Sequence, residues 1–364
     1  MHDKPDFMFH VDPDITRART LDTSFYTDPA CLMASKEKLF APFWLYAGDV
    51  GTAAANGTCH PFTLLPGFLD EPLLLTRDAG GEVRCLSNVC THRGNLLVDE
   101  PCHSANIRCR YHGRVFGLDG SFRSMPEFNG VVDFPGPEDN LASIGLHSWG
   151  PMRFVRLAGD LDPEVSFGDM KRRLSWLPIE EFRHRPDRDA TFEVNAHWAL
   201  YCENYLEGFH IPFVHAGLNQ VIEFGNYTTE TYRRSNLQLG IAKPDEPCFD
   251  LPSSSADFGQ RVAAYYYWVF PNLMFNFYPW GLSLNVVEPL GIDKTRVRFL
   301  TFVWKEDLFN QGAGSSLDVV EREDEEVVEA VQKGVRSRFY RHGRYSPNRE
   351  QGTHHFHTLI SALM

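Results

Sequence analysis

The chain has 364 residues, enough for about two domains. With 43% hydrophobic and 23% charged residues, its composition excludes a disordered protein. A formal net charge of −13 argues against nucleic acid or an anionic membrane as a partner, because both bind basic surfaces. Residues 1–30 show no apolar signal segment, so we expect a cytoplasmic protein whose eight cysteines are free thiols, some of them metal ligands.

The first half of the chain predicts a helical lead-in followed by short strands. Residues 16–50 have a helical pattern, and Asp28-Pro29 is a typical helix start. From about residue 44 to 155, short strand-like runs alternate with turn signals. The segment Asp78–Gly81 and the pair Asp119-Gly120 each mark a hairpin. This region therefore predicts a small all-β domain.

The second half mixes helices and strands, which predicts an α+β domain. Residues 194–214 have a helical pattern that Pro212 interrupts. Residues 265–304 predict consecutive long strands. The stretch 265–287 carries no charge, but its prolines and asparagines would disrupt a membrane-spanning helix, so we expect no membrane insertion. Residues 317–338 predict a charged amphipathic helix.

Two Cys–His pairs suggest a first metal site. Cys90 and His92 are separated by one residue, and Cys109 and His112 by two. Zinc could take two thiolates and two imidazoles in a tetrahedral site. A Rieske 2Fe–2S cluster would instead place both cysteines on one iron and both histidines on the other. We favour the Rieske cluster, because each loop contributes one ligand of each type and so spans both irons.

A second group of possible ligands follows at Glu207, His210 and His215. On a straight helix the two imidazoles would point about 140° apart and could not share a metal. Pro212 lies between them and would break or kink the helix, which would allow them to converge. The proline therefore supports a metal site that needs one further ligand.

The predicted helix 317–338 offers this third ligand. Its apolar stripe is centred near Asp324, with the following valines within about 60° of it: Val320, Val327, Val328, Val331 and Val335. A carboxylate that faces the core is costly unless a metal or cation compensates it. Glu321, at the edge of the stripe, is the next candidate. The remaining acids are expected to point elsewhere: Glu323, Glu325, Glu326 and Glu329. His210, His215 and Asp324 would then form a two-His-one-carboxylate site for Fe(II).

This combination of motifs resembles the large (α) subunit of Rieske non-haem iron oxygenases, the ring-hydroxylating oxygenase family. The segments Cys90–Gly94 and Cys109–Gly113 carry most of the resemblance, which extends over nearly all of the chain. It implies an α+β protein with an all-β Rieske domain and a helix-grip type catalytic domain with a long antiparallel sheet. The implied limits are 1–43 for an N-terminal helical segment packing on the catalytic domain, 44–155 for the Rieske domain and 156–364 for the catalytic mononuclear iron domain.

The resemblance also implies how the two centres communicate. In the family, the acid three residues before the first iron-binding His bridges the centres across a subunit boundary. Glu207 would have this role in a head-to-tail homotrimer, linking His112 or His92 of one subunit to His210 of the next. Asn204, one helical turn earlier, matches an amide often found near the iron.

Two departures from the family pattern narrow the interpretation. Arg114 stands where the family often has Trp, which puts the local interface packing in doubt. The bridging acid is usually Asp, whereas Glu207 resembles the branch that acts on quaternary ammonium compounds such as carnitine, betaine and choline. The aromatic strands 265–270 and 275–280 could supply a cage for such a cation through cation–π attraction, although we expect most of these residues to form core.

We therefore predict an oxygenase that uses O₂ and electrons from NAD(P)H, delivered by a separate flavin and iron–sulfur reductase, to hydroxylate or N-demethylate a small quaternary ammonium substrate. This chain has no flavin or nicotinamide fingerprint of its own. Three alternatives are aromatic-ring hydroxylation, a Rieske electron carrier without oxygenase activity, and a zinc-stabilised binding protein.

Overall fold

The structure, a computed structural model, describes residues 9–315 and 317–364, apart from the side chains of Leu317 and Asp318. It divides into two compact units. One is formed by residues 45–159, and the other combines the segment up to Trp44 with residues 160–364. The boundary predicted between residues 155 and 156 falls inside the strand Met152–Arg156, so the first unit extends slightly beyond it.

Residues 45–159, all of which are described, form an antiparallel β unit. Its strands are β1 (Leu45–Asp49), β2 (Thr58–Leu64), β3 (Glu71–Arg77), β4 (Val83–Ser87), β5 (Cys102–His103), β6 (Asn106–Arg108), β7 (Val115–Gly117), β8 (Phe122–Ser124), β9 (Ser143–Trp149) and β10 (Met152–Arg156). One sheet has the order β1-β10-β9-β4-β3-β2-β5, and a smaller sheet has the order β6-β7-β8. Both predicted hairpins, β3–β4 and β7–β8, are confirmed.

The second unit is built on one long antiparallel sheet. Its strands are β11 (Arg183–His184), β12 (Ala190–Val194), β13 (Thr228–Thr231), β14 (Ser235–Ile241), β15 (Val262–Val269), β16 (Leu273–Tyr278), β17 (Gly281–Gly291) and β18 (Lys294–Val303). Among the described residues the sheet order is β11-β18-β17-β16-β15-β14-β13, and β12 also pairs with β18. The long strands predicted for residues 265–304 are confirmed.

Helices complete the second unit. They are α1 (Ser24–Thr27), α2 (Pro29–Ser35), α3 (Pro163–Arg173), α4 (Trp198–Tyr205), α5 (Ile211–Val214), α6 (Leu218–Val221), α7 (Leu317–Gly334) and α8 (Gln351–Leu363). A π-helical turn, Lys36–Phe40, continues α2. The predicted start of α2 is confirmed, since the Asp28 side chain accepts a hydrogen bond from the amide of Ala30. No helix in the described part of the chain is long and apolar enough to cross a membrane.

The uncharged run in β15, β16 and β17 explains why the core lies at this sheet. Side chains on both faces of β15 and β16 are buried, as in strands that are covered on both sides. Phe40 and Phe356, from the two ends of the unit, both pack edge-on against Trp198 in α4. The helix that begins with Trp198 is therefore held between the sheet and the terminal helices, and this anchors the segment that follows it.

The helical pattern predicted over residues 194–214 is interrupted, but not where we expected. The break spans residues 206–210, between α4 and α5. Pro212 takes the second position of α5, where its missing N–H costs no helical hydrogen bond. The proline therefore helps to start the second helix and does not itself break the first. The amphipathic helix predicted for residues 317–338 ends at Gly334.

Candidate metal centres

The two Cys–His loops have the same backbone design. The amide of Gly94 donates to the carbonyl of Cys90 at 3.0 Å, and the amide of Gly113 donates to that of Cys109 at 2.9 Å. Both glycines have positive φ, +68° and +76°, which other residues rarely adopt. Each loop is thus a tight turn that presents its Cys and His on a short, rigid arc. We call residues 90–94 and 109–113 the cluster loops.

The cluster loops bring like ligands together. Cys90 and Cys109 are each 2% exposed and in contact with one another. The rings of His92 and His112 are partly exposed, with centroids 4.8 Å apart. Burial raises the pKa of the Cys90 thiol, so a thiolate at this position needs a metal charge to stabilise it. The Asn95 amide lies 3.7 Å from Cys109 Sγ and can donate to the sulfur, an interaction that tunes cluster potential.

These four side chains fit a two-metal cluster better than a single zinc ion. Among the described residues, only His210, His215 and Asp324 bring three ligand atoms within 4.8 Å of one another. The ligands of a tetrahedral zinc ion would all lie this close, since each is about 2.0–2.3 Å from the metal. A pair of thiols facing a pair of imidazoles is instead the donor set of a Rieske cluster, with one pair on each iron.

Arg114, the departure from the family pattern, is accommodated inside the β unit. Its side chain is 2% exposed and forms an ion pair with Asp139. The guanidinium carbon lies 5.0 Å from the ring centroid of Phe122 and 5.5 Å from that of Phe134. A flat cation stacked among aromatic rings fills the space that an indole would otherwise occupy. Arg114 is therefore packed within residues 45–159, although its buried Nε has no described hydrogen-bond partner.

The second group of predicted ligands also comes together. His210 and His215 lie at the two ends of α5, and their Nε2 atoms are 3.2 Å apart. One Asp324 oxygen, Oδ1, lies 3.0 Å from Nε2 of His215 and 3.6 Å from Nε2 of His210. Two imidazole nitrogens and one carboxylate oxygen that converge from one side are a donor set for Fe(II) with positions left open. We call these three residues the two-His-one-carboxylate group.

Two further carboxylates orient the imidazoles. Glu207 accepts from Nδ1 of His210 at 2.7 Å and from the His210 backbone amide at 3.1 Å. Glu323 accepts from Nδ1 of His215 at 2.7 Å. Protonation of each Nδ1 leaves Nε2 as the atom that can bind a metal, and such outer carboxylates raise the basicity of the ligand. Asn204, the other residue predicted near the iron, donates through its side-chain amide to Oδ1 of Asp324.

The prediction that Glu323 points elsewhere is wrong. Glu323 and Asp324 are about 100° apart on the helix, and His215 lies between their side chains so that one carboxylate meets each ring nitrogen. The periodicity of the valines located the buried stripe only approximately, since Val331 is exposed and Glu321 is more deeply buried than Asp324. The Glu side chain is long enough to reach the ring from the edge of that stripe.

Glu321, the alternative third ligand, is placed differently. It is 2% exposed, and its Oε2 accepts a hydrogen bond of 2.5 Å from the hydroxyl of Tyr201. It is not one of the three residues whose ligand atoms converge. The remaining acids of this stretch, Glu325, Glu326 and Glu329, also lie outside that group, and Glu329 accepts from the backbone amide of Asn195.

A pocket opens directly on the two-His-one-carboxylate group. Besides those three residues its described lining consists of Tyr201, Asn204, Tyr205, Glu207, Ile211, Leu218, Tyr227, Gln238, Tyr266, Asn276, Tyr278, Ser283, Asn285, Phe299, Ala313, Val320 and Glu321. Two aromatic strands were predicted as a possible cage. Of their residues, the described pocket lining includes only Tyr266, Asn276 and Tyr278. The others are buried core, as expected for most of them.

The sequence analysis missed Tyr205 and Tyr227 as pocket residues. Tyr205 is the last residue of α4, and Tyr227 precedes β13. Gly208, in the break between α4 and α5, is what allows this approach, since a Cβ there would lie 2.6 Å from the ring of Tyr227. A glycine immediately after Glu207 was the available signal for such a close contact.

Comparison with known proteins agrees with this architecture. Residues 179–364 match the family described as ring hydroxylating alpha subunit (catalytic domain), and residues 55–135 match the Rieske [2Fe-2S] domain. Choline monooxygenase of Beta vulgaris, a chloroplastic protein, is 29% identical over 96% of this chain and 78% of its own length. The carnitine monooxygenase oxygenase subunit of Escherichia coli K12 is 27% identical over 99% of this chain and 98% of its own length.

Solved structures show the same fold. The quaternary ammonium Rieske monooxygenase CntA in complex with L-carnitine has a TM-score of 0.73 and 21% identity, covering 96% of both chains. Naphthalene 1,2-dioxygenase from Rhodococcus has a TM-score of 0.71 and 19% identity, covering 94% of both chains. Since the catalytic-domain family accounts for half of the sequence and a Rieske domain precedes it, the chain belongs to the Rieske ring-hydroxylating oxygenase α-subunit family, oxidoreductases that use O₂ with a Rieske 2Fe–2S cluster and a mononuclear iron.

Proposed function

We propose that the protein is the oxygenase subunit of a monooxygenase that hydroxylates or N-demethylates a small quaternary ammonium compound. The observation that carries this proposal is the pocket lined by tyrosines beside the two-His-one-carboxylate group. Oxidation of such a substrate beside its nitrogen requires its cationic head to be held a short distance from the metal ligands.

The tyrosine rings are arranged as a cation-binding cage would require. The ring of Tyr266 is nearly perpendicular to that of Tyr278, with centroids 6.0 Å apart, and Tyr227 lies 6.5 Å from Tyr266. The faces of such rings attract a trimethylammonium group through their quadrupoles. The hydroxyl of Tyr205 donates to Asn276 Oδ1 at 2.9 Å, which holds this phenol against the sheet.

The names of the relatives support the same class of substrate. Choline monooxygenases and carnitine monooxygenase oxygenase subunits align with nearly all of this chain. CntA has been crystallised with L-carnitine and with gamma-butyrobetaine, both quaternary ammonium compounds. The negative net charge of this chain also favours a cationic substrate over an anionic one.

We assign the four cluster-loop ligands Cys90, His92, Cys109 and His112 to the 2Fe–2S cluster, and His210, His215 and Asp324 to the mononuclear iron. When bound, the iron supplies O₂ activation and the cluster supplies single electrons. Glu207 and Glu323 keep the two imidazoles oriented by accepting their Nδ1 protons. Asn204 donates to Asp324 and so limits rotation of the carboxylate.

The electron path is a further part of the proposal. Electrons from NAD(P)H would arrive through a separate flavin and iron–sulfur reductase, since this chain has no nucleotide-binding fingerprint. Glu207 would bridge the cluster of one subunit and the iron of the next in a head-to-tail homotrimer. This role for Glu207 is supported by the hydrogen bond between its carboxylate and the imidazole of His210. The cytoplasmic location and dioxygenation of any substrate remain predictions from the sequence and the family.

A single-turnover experiment tests the proposal without the reductase. The iron-loaded protein is reduced with dithionite, freed of reductant and mixed with O₂ and one compound at a time, and products are identified by mass spectrometry. Monooxygenation consumes the substrate, O₂, two electrons and two protons and yields the hydroxylated product and water. The C–N bond of a hydroxylated N-methyl group then breaks, which releases formaldehyde, a proton and the tertiary amine.

We expect product from at least one quaternary ammonium compound and none from aromatic acids. Product from aromatic acids alone would favour the ring-hydroxylating alternative. No product from any compound, with electron transfer unaffected by H210A, would favour the electron-carrier alternative.

A further inference from the structure

Glu321 is a buried carboxyl group at the pocket wall whose hydrogen bonding is incomplete. It lies in the second turn of α7, is 2% exposed and lines the pocket. Its Oε2 is paired with the hydroxyl of Tyr201 at 2.5 Å. Its Oε1 is also buried, yet it has no hydrogen-bond partner among the described residues. A buried polar atom without a partner costs free energy, and a positive charge bound nearby would offset this cost.

The described lining of the pocket is rich in acids. Its described lining contains Glu207, Asp324 and Glu321 but no lysine or arginine. The metal-facing acids Glu207 and Asp324 are engaged with His210 and His215. Of these three acids, Glu321 is therefore the one whose carboxyl forms no described hydrogen bond with His210 or His215.

The neutral polar groups of the lining are largely used within the protein. The Asn276 amide donates to the carbonyl of Ser283 at 3.1 Å, and the Ser283 hydroxyl donates to Asn285 Oδ1 at 2.9 Å. The Gln238 amide donates to the carbonyl of Tyr205. Apart from the iron, a substrate carboxylate would thus meet no lysine or arginine in the described lining and would lie near Glu321. Burying an unpaired anion near another acid is strongly unfavourable.

We propose that Glu321 is the counter-charge for the cationic head and that the enzyme selects small quaternary ammonium compounds without a carboxylate, such as amino alcohols, over zwitterions such as betaine or carnitine. This inference rests on the proposed function and specifies its substrate class. The tyrosine faces would surround the methyl groups, and Glu321 Oε1 would provide the complementary charge.

The surroundings of Glu321 agree with this role. Burial raises the pKa of its carboxyl to about 8, although the hydrogen bond from Tyr201 acts in the opposite direction. Without a ligand the carboxyl therefore keeps its proton at neutral pH, and a bound cation would lower this pKa and favour the ionised form that acts as its counter-charge. Glu326, on the same helix but exposed, provides a matched control for removal of one negative charge.

The test compares three ligands on the iron-loaded, reduced enzyme. They are choline, its uncharged isostere in which carbon replaces the nitrogen, and the zwitterion glycine betaine. Binding is measured by calorimetry and oxidation by single turnover, for wild type, E321Q and E326Q. We expect wild type to prefer choline over both other ligands by about tenfold to a hundredfold, because charge pairing in a partly desolvated site is strong.

E321Q should reduce this preference for choline over the isostere to within about threefold, mainly through weaker binding of choline. Iron content and the Rieske electron paramagnetic resonance signal should stay unchanged, and E326Q should keep the wild-type preference. Unchanged charge preference in E321Q would overturn the inference. If wild type prefers betaine to choline, the inference fails while the proposed function stands, whereas no binding of any quaternary ammonium compound overturns both. The wild-type comparison needs no variant and so does not depend on the folding of E321Q.

Discussion

The cluster loops and the two-His-one-carboxylate group are built from similar side chains but in opposite settings. His92 and His112 lie on loops of the β unit, are partly exposed and are followed by glycines with positive φ. The His210 and His215 rings project from the ends of a short helix and are each backed by a carboxylate. One site faces the surface, and the other faces a pocket lined by tyrosines.

This difference corresponds to two kinds of chemistry. An electron-transfer centre needs rigid ligands and an accessible edge, and tight turns that hold buried thiols beneath partly exposed imidazoles provide both. An oxygenating centre needs open coordination positions and a defined place for the substrate. In the second unit, the ligands come from two helices and the substrate contacts come from the sheet, so ligand position and substrate fit are set by different elements.

The strongest way to separate the two centres is to remove the carboxylate ligand. D324A should abolish mononuclear iron binding and oxygenation, since two imidazoles alone hold Fe(II) weakly. The Rieske signal should be preserved, because its ligands lie in the other unit. Metal analysis should fall from about three irons per chain to about two. E326Q is the control, and retention of full iron content by D324A would contradict the assignment.

The next largest effect is expected in the β unit, at Arg114. R114A would leave Asp139 without its buried cation and would remove the contacts with Phe122, which we expect to lower the free energy of unfolding by about 3 kcal/mol. The visible circular dichroism of the cluster reports unfolding of this unit. R110A removes an exposed ion pair with Asp99 and should cost less than about 1 kcal/mol. Equal effects of the two substitutions would contradict a packing role for Arg114.

The proposed link between the centres is tested at Glu207. E207Q keeps the size of the side chain but removes its charge. The cluster should load normally, whereas the mononuclear iron should bind about tenfold more weakly because the ring of His210 loses its charged acceptor, so turnover is compared at saturating iron. Steady-state turnover should fall by about a hundredfold, the upper range for loss of a carboxylate that supports a metal ligand. Stopped-flow absorbance should show that the reduced cluster is reoxidised more slowly by O₂ and substrate. Normal reoxidation with slow product formation would indicate that Glu207 acts on the iron ligand alone.

Glu323 marks a difference between the two metal sites. Among the described contacts, no carboxylate accepts a hydrogen bond from His92 or His112. E323Q should weaken mononuclear iron affinity by about tenfold, because the ring of His215 loses its charged acceptor. Competition with a chelator measures this change, and the cluster serves as an internal reference. A stronger effect on the cluster than on the mononuclear iron would refute the assigned role.

A further effect, seen only below neutral pH, is an acid sensitivity of the second unit. Burial lowers the pKa of His197, the N-cap of α4, to about 3 from its usual value near 6.5. As the pH falls below about 6.5, the unfolded chain takes up a proton that the folded chain does not, so stability decreases. At pH 5 the loss from this residue is about 2 kcal/mol.

The variant H197N should remove this contribution, since asparagine is a good N-cap and does not titrate. Denaturant titrations at pH 7.5 and pH 5, followed by far-ultraviolet circular dichroism, measure the difference. An identical pH dependence in wild type and H197N would show that His197 titrates normally in the folded state.

Much of this protein was predictable from local sequence. The spacing of Cys90, His92, Cys109 and His112 predicts a Rieske cluster. Each loop carries one ligand of each type and can therefore reach both irons. The uncharged run from Tyr265 to Val287 predicts buried strands because any other arrangement would leave its apolar surface in water. The stripe of valines around Asp324 indicates the acid that converges with the two histidines, although Glu321 is more deeply buried on the same helix.

Other features depended on contacts between residues far apart in the chain. Tyr266 and Tyr278 face one pocket because the register of β15 and β16 brings their strands side by side, and Tyr205 joins them from a helix about 60 residues earlier. Glu323 and Glu321 have the same residue type, but Glu323 orients His215, whereas Glu321 lies at the pocket wall with one oxygen bonded to Tyr201 and the other without a described partner. Periodicity places a side chain on a helix face, whereas its partner is set by the element that packs there, and only the tertiary structure supplies that element.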